Sequence, residues 1–158
     1  MLEHELKRDI KKYKIEEVIN LTIKPICDAI EKEIKKKYTN NNLKSSHKKN
    51  ICFFNFGIPG VYINFHVRHK INSGITGRIS VDQKSENKGL FYELVDKLEK
   101  ESNIKLDIND DNDRYKTLDF DYPIKWDESS EKKKELALDV LSTKTVTLMK
   151  AILKIHRS

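Results

Sequence analysis

The stretch Val61-Tyr62-Ile63-Asn64-Phe65-His66-Val67-Arg68 decides the fold, because apolar and polar residues alternate along all of it. In a strand this period sends Val61, Ile63, Phe65 and Val67 to one side and Tyr62, Asn64, His66 and Arg68 to the other. One side is core, and the other is free to bind something. Just upstream, Ile51 to Phe56 reads as a strand that is apolar on both faces, as a central or doubly covered strand would be. Gly57-Ile58-Pro59-Gly60 joins the two as a tight turn whose glycines can take positive φ. Downstream, Asn72-Ser73-Gly74 marks a second turn and Ile75 to Val81 a third strand, completing an antiparallel meander. A helix from about Asn87 to Glu101 follows, with Leu90, Phe91, Leu94, Val95 and Leu98 facing inward. Residues 51–101 thus form the unit around which the chain is organised.

On the N-terminal side, Val18, Ile19, Ile23, Ile26, Ile30, Ile34 and Tyr38 make one helical stripe, and Pro25 predicts a kink or a fresh helix start near Thr22. Leu2, Leu6 and Ile10 fit a short or frayed helix within residues 1–14. Thr39 to Asn50 has almost no apolar content and reads as a lysine-rich surface loop. On the C-terminal side, Leu106 and Ile108 precede an acidic turn at Asn109 to Asp113. Leu118, Phe120 and Tyr122 then alternate with Asp119 and Asp121, predicting a second hairpin with an acidic outer face. Ser129 or Ser130 is placed to cap a last helix over Glu131 to His156, where Thr143, Thr145 and Thr147 weaken the propensity enough for a break. The expected fold is a single α+β domain over residues 1–158. Its antiparallel sheet of about five strands packs against two long helices, in the order α-β-β-β-α-β-β-α.

Charged residues make up 35% of the 158 positions and apolar ones 37%, with a formal charge of +6. That balance fits a modest core inside a solvated shell, and the positive sign allows attraction to nucleic acid, to an anionic membrane or to an acidic protein without choosing among them, a plain solvated lysine surface being the alternative. No apolar run approaches the ~18 residues of a membrane span, and Met1 to Tyr13 is too charged for a secretory signal. A cytoplasmic protein without membrane association is expected. Cys27 and Cys52 are too few and too isolated for a disulfide framework or a zinc site, so both are expected to be reduced core residues.

Several apparent sites fail on chemistry. Asp107 to Asp113 puts oxygen side chains at calcium-loop positions one, three, five and seven, but the twelfth position, where a bidentate Glu is needed, is Leu118. His66 and His69 lie an odd number of residues apart, which on a regular strand sends them to opposite faces. Glu33-Ile34-Lys35 and Glu99-Lys100-Glu101 echo nuclease fragments but fall on expected helices. No phosphate loop or nucleophile elbow is present, and no catalytic residue, metal or cofactor is expected. What remains is the polar strand face, where Tyr62, His66, Arg68, Thr76 and Arg78 could stack on bases or meet phosphates, with Lys48 and Lys49 supplying phosphate contacts. The competing expectation is that the last helix covers this face, burying Tyr62 and pairing Arg78 with an acid.

Phe54-Asn55-Phe56-Gly57-Ile58-Pro59-Gly60-Val61-Tyr62-Ile63 resembles the strand, Gly-x-x-Gly turn and strand of an uncharacterised domain found behind nuclease-like modules in bacterial restriction and defence proteins. Arg78-Ile79-Ser80-Val81, then Phe91, Leu94, Lys97, Leu106, Arg114 and Trp126, continue that resemblance over about Ile51 to Ile155. Ser80 stands where that family usually has an acid, and no nuclease-like module accompanies it. The resemblance implies a non-catalytic accessory or recognition role, with DNA, RNA or another protein subunit as partner. The order helix, three strands, helix also resembles a double-stranded-RNA-binding domain, whose minor-groove loop would correspond to Gly57 to Gly60. The lysine clamp of that family is broken here, because Ser85-Glu86-Asn87 separates Lys84 from Lys88.

Overall fold

The structure, a computed structural model, describes residues 24–40, 42–67, 75–110, 112–122 and 130–158. The expected helix within 1–14, the sequence around Thr22, the turn Asn72-Ser73-Gly74, Arg68, His69 and Trp126 lie outside them. The fold is α+β. A helix, α1, occupies described residues 24–37. Then come β1 (Lys44–Lys48), β2 (Ile51–Asn55), β3 (Val61–Val67), β4 (Ile75–Asp82), α2 (Leu90–Ser102), β5 (Asp107–Asn109), β6 (Tyr115–Tyr122) and α3 (Glu131–Arg157). The six strands form one antiparallel sheet in the order β1-β2-β3-β4-β6-β5.

One parity of the strands supplies the core: Cys52, Phe54, Val61, Ile63, Phe65, Ile79, Val81, Leu118 and Phe120 are all buried. They form one cluster with Ile26, Ile30 and Ile34 of α1, Leu90, Leu94 and Leu98 of α2, and Leu141, Leu148, Met149 and Ile152 of α3. All three helices therefore cover the same side of the sheet. Phe54 and Phe65 meet edge to face at 5.6 Å, a favoured aromatic geometry. Ser130 caps α3 by accepting from the Lys133 amide at 3.3 Å. No break occurs near the threonines: the hydroxyls of Ser142, Thr145 and Thr147 donate to carbonyls four residues back, so these groups are satisfied within the helix.

The structure corrects three expectations. Residues 44–48, read as loop, form β1, an edge strand whose polar side chains suit a solvent-facing edge and so leave no apolar alternation to read. Ile51 and Phe53 of β2 are only half-buried, and no described helix lies over them, so the second apolar face of this strand is not core. Cys27 and Cys52 are joined in a disulfide between α1 and β2, with Cα atoms 5.7 Å apart. Composition alone missed the pair because it joins residues 25 positions apart that only the packing of α1 on β2 brings together.

Closing a loop of that length should stabilise the fold by about 3 kcal/mol in a chain-entropy account. Cys27→Ser/Cys52→Ser, or reduction under native buffer, should lower the urea midpoint accordingly without changing the far-ultraviolet spectrum. Thiol alkylation of the untreated protein should leave both cysteines unlabelled.

Candidate functional site

The parity that the core does not use faces away from the helices. By register it carries Lys44, Ser46 and Lys48 on β1, then Ile51, Phe53 and Asn55 on β2, and Tyr62, Asn64 and His66 on β3. It continues through Thr76, Arg78, Ser80 and Asp82 on β4, Tyr115, Thr117 and Asp119 on β6, and Asp107 and Asn109 on β5. Over this face lies an open cavity of about 770 Å³ lined from all six strands of the sheet, with Ile51, Phe53, Tyr62 and Tyr115 as its apolar walls and Asn64, His66, Arg78, Ser80 and Thr117 among its polar ones.

The polar groups are organised as cross-strand partners. Asn64 Nδ2 donates to Ser80 Oγ at 2.7 Å, and both residues are buried. Arg78 Nε donates to Asp119 Oδ1 at 2.9 Å, directly across the β4–β6 register, and Thr117 Oγ1 adds a bond to the same oxygen at 3.0 Å. Arg78 thus pairs with an acid as the covered-face alternative expected, but the pair belongs to the sheet itself and not to a covering helix. Burial holds His66 below its ordinary value of 6.5, Arg78 pushes it the same way, and Asp119 opposes them.

Of the residues singled out from sequence, Tyr62, His66 and Arg78 come together in the cavity, while Arg68 lies outside the described residues. Lys48 ends β1 on the same face, and Lys49 sits in the β1–β2 turn with φ of 55°. The lysines just before them are spent otherwise: Lys35 pairs with Glu31, Lys36 with Glu33 and Lys37 with Asp139. Phe53, Asn64, Ser80, Tyr115 and Thr117 were missed as site residues. Asn64 has the parity of Tyr62 and His66 and could have been included, whereas Phe53 was hidden in a strand that looked apolar on both sides.

Other regions lack such convergence. Asp82, at the end of β4, accepts the Lys84 amide and two bonds from Arg114 at 2.8 and 3.2 Å; that amide first, then Arg114, hold its carboxyl below the usual range. Asp107 and Asn109 belong to strand β5 rather than to a calcium loop. The described residues contain no group of three His, Cys, Asp or Glu that could hold a metal, and no described helix is long and apolar enough to cross a membrane. The Gly57–Gly60 turn is tied back, since Ser85 Oγ and Asn87 Nδ2 both donate to the Pro59 carbonyl at 2.9 Å. Gly60 has φ of 80°, and a Cβ there would collide with Ser85. A loop so anchored is poorly placed to reach into a minor groove. No family model, no curated protein and no solved structure matches the chain.

The depressed His66 value has a consequence for stability. As pH falls below 6.5, the unfolded chain takes up a proton at this position before the folded one does, so stability drops from there down through the lowered folded value. Urea unfolding across that window should show a shallower decline for His66→Gln than for the parent protein. Identical slopes would mean that another group carries the dependence.

Proposed function

We propose that the chain is a non-catalytic, nucleic-acid-associated recognition module that uses the sheet face opposite the described helices as a platform for single-stranded DNA or RNA. The observation that carries this reading is the set of Phe53, Tyr62, His66 and Tyr115 rings around one open cavity on a sheet face. Rings on a sheet stack on unpaired bases with little sequence demand, which is how several single-strand binders work. Lys44, Lys48 and Lys49 lie along the β1 margin, where a phosphate chain leaving the cavity would find positive charge. The resemblance to a domain of restriction and defence proteins agrees with an accessory role of this kind. The Cys27–Cys52 disulfide argues against a cytoplasmic location, since such bonds persist chiefly in oxidising compartments.

The second reading is a protein-interaction or inhibitor domain without nucleic-acid binding. It is favoured by two exposed apolar side chains outside the cavity, Ile108 of β5 at 57% exposure and Tyr92 of α2 at 60%, the latter against Lys116 of β6. An interface built on such side chains would be only weakly sensitive to salt.

Fluorescence anisotropy with labelled single-stranded oligonucleotides, titrated with salt, separates the two. The platform reading expects Tyr62→Ala to weaken binding by roughly 1–3 kcal/mol with the fold intact. Lys48→Ala/Lys49→Ala should reduce the salt slope by about one to two. Absence of oligonucleotide binding at low salt would remove the first reading and promote the second.

A further inference from the structure

We infer that the cavity lined by Phe53, Tyr62 and Tyr115 takes a single nucleobase and that Asn64 reads its hydrogen-bonding edge. This rests on the nucleic-acid reading and deepens it by assigning the base, rather than the phosphate, to the cavity. Its volume of about 770 Å³ falls within the ~300–1,000 Å³ typical of small-molecule sites.

The charge balance of the lining selects the ligand. Arg78 is matched by Asp119, so its guanidinium is not an open phosphate clamp. The other basic group in the wall, His66, is held toward its neutral form. A phosphate or carboxylate would leave water for a wall with no net positive charge, which is unfavourable. A neutral, planar, polar heterocycle meets no such cost and gains ring contacts on both sides of the cavity.

The floor supplies the reading groups. Asn64, Ser80 and Thr117 retain only 6%, 4% and 7% exposure, and all three line the cavity. Asn64 uses Nδ2 on Ser80, while its Oδ1, shielded from water, has no hydrogen-bond partner. Turning the amide over would exchange the two atoms, because the Ser80 hydroxyl can donate or accept, and would still leave one of them unpaired. Buried polar atoms are ordinarily satisfied, so an orphan amide atom on a residue that lines the cavity is a group that a small turn of the side chain would offer to a ligand edge. A primary amide offers a donor and an acceptor side by side, the complement of the N–H and ring-nitrogen edge of a base.

The test uses adenosine, guanosine, cytidine and uridine as free nucleosides, followed by NMR of the asparagine side-chain amides and by calorimetry. One or two nucleosides should shift the Asn64 amide signals of the unaltered protein, and a 5′-phosphate should improve affinity little. Asn64→Ala should weaken the preferred nucleoside roughly tenfold or more and erase the preference among bases. Ser80→Ala, which leaves the Asn64 amide in place, should weaken it less. Oligonucleotide binding with no nucleoside-induced shift at Asn64 would overturn the base pocket while sparing the platform. Nucleoside binding without oligonucleotide binding would uphold the pocket and remove the platform. Equal shifts from a neutral monosaccharide, or no shift from any nucleoside, would overturn the inference.

Discussion

The pairing of β3 with β4 in the middle of the sheet, with Ile63 opposite Ile79 and Val61 opposite Val81, fixes which parity of every other strand is buried. Side chains alternate with a period of two, so a slip of one residue would exchange the whole core set for Tyr62, Asn64, His66 and Arg78. Because α1, α2 and α3 all join the cluster on one side, no described helix covers the other parity. Antiparallel sheets allow this, and here the exposed side is not simply polar. It holds half-buried Ile51, Phe53 and Tyr62 around buried Asn64, Ser80 and Thr117, a composition closer to a binding site than to a solvated surface.

The margins of the sheet are built differently from its centre. On the core side β1 offers only Ser45 and His47, so it is held by pairing with β2 and by a 2.7 Å bond from Ser45 Oγ to Glu31 on α1. The disulfide fastens the same helix to β2 one strand further in. Lys37 links α1 to Asp139 and Ser142 on α3, and Lys154 links α3 to Glu101 on α2. Exposed ion pairs of this sort add little individually. The apolar stripes of the three helices, together with the cross-link, hold the helical layer on the sheet.

What was legible in the sequence follows from these differences. The alternation in β3, β4 and β6 and the helical stripes were strong enough to give the α+β class, the second hairpin and the bounds of α3 to within a residue or two, with its cap narrowed to Ser129 or Ser130. Strand β1 was not legible, because an edge strand of the composition Lys-Ser-Ser-His-Lys buries too little to leave a pattern. The second face of β2 was misread for the opposite reason: apolar residues lining a cavity look the same in sequence as residues in a core. Part of the site was visible as Tyr62, His66 and Arg78, while Phe53, Tyr115 and Thr117 join it only through a register that crosses four strands, β2-β3-β4-β6. The disulfide required knowing that α1 lies over β2.

Charge across the open face is graded, and the gradient constrains how any ligand can lie on it. Lys44, Lys48 and Lys49 stand at the β1 margin, and Asp107, Asp110 and Asp113 stand at or beyond the β5 margin. Between them, Arg78 and Asp119 cancel at contact distance. A uniformly anionic chain crossing from one margin to the other would run into the acids, whereas one that follows β1 and turns its bases inward would not. Arg78 therefore serves the face as half of a pair. Removing it alone would leave a half-buried carboxylate at Asp119 still bonded to Thr117, so the loss would act through an unbalanced negative charge rather than through a missing phosphate contact. The same pairing keeps the centre of the face electrically quiet, and that neutrality lets the neighbouring asparagine and aromatic rings determine what the cavity accepts.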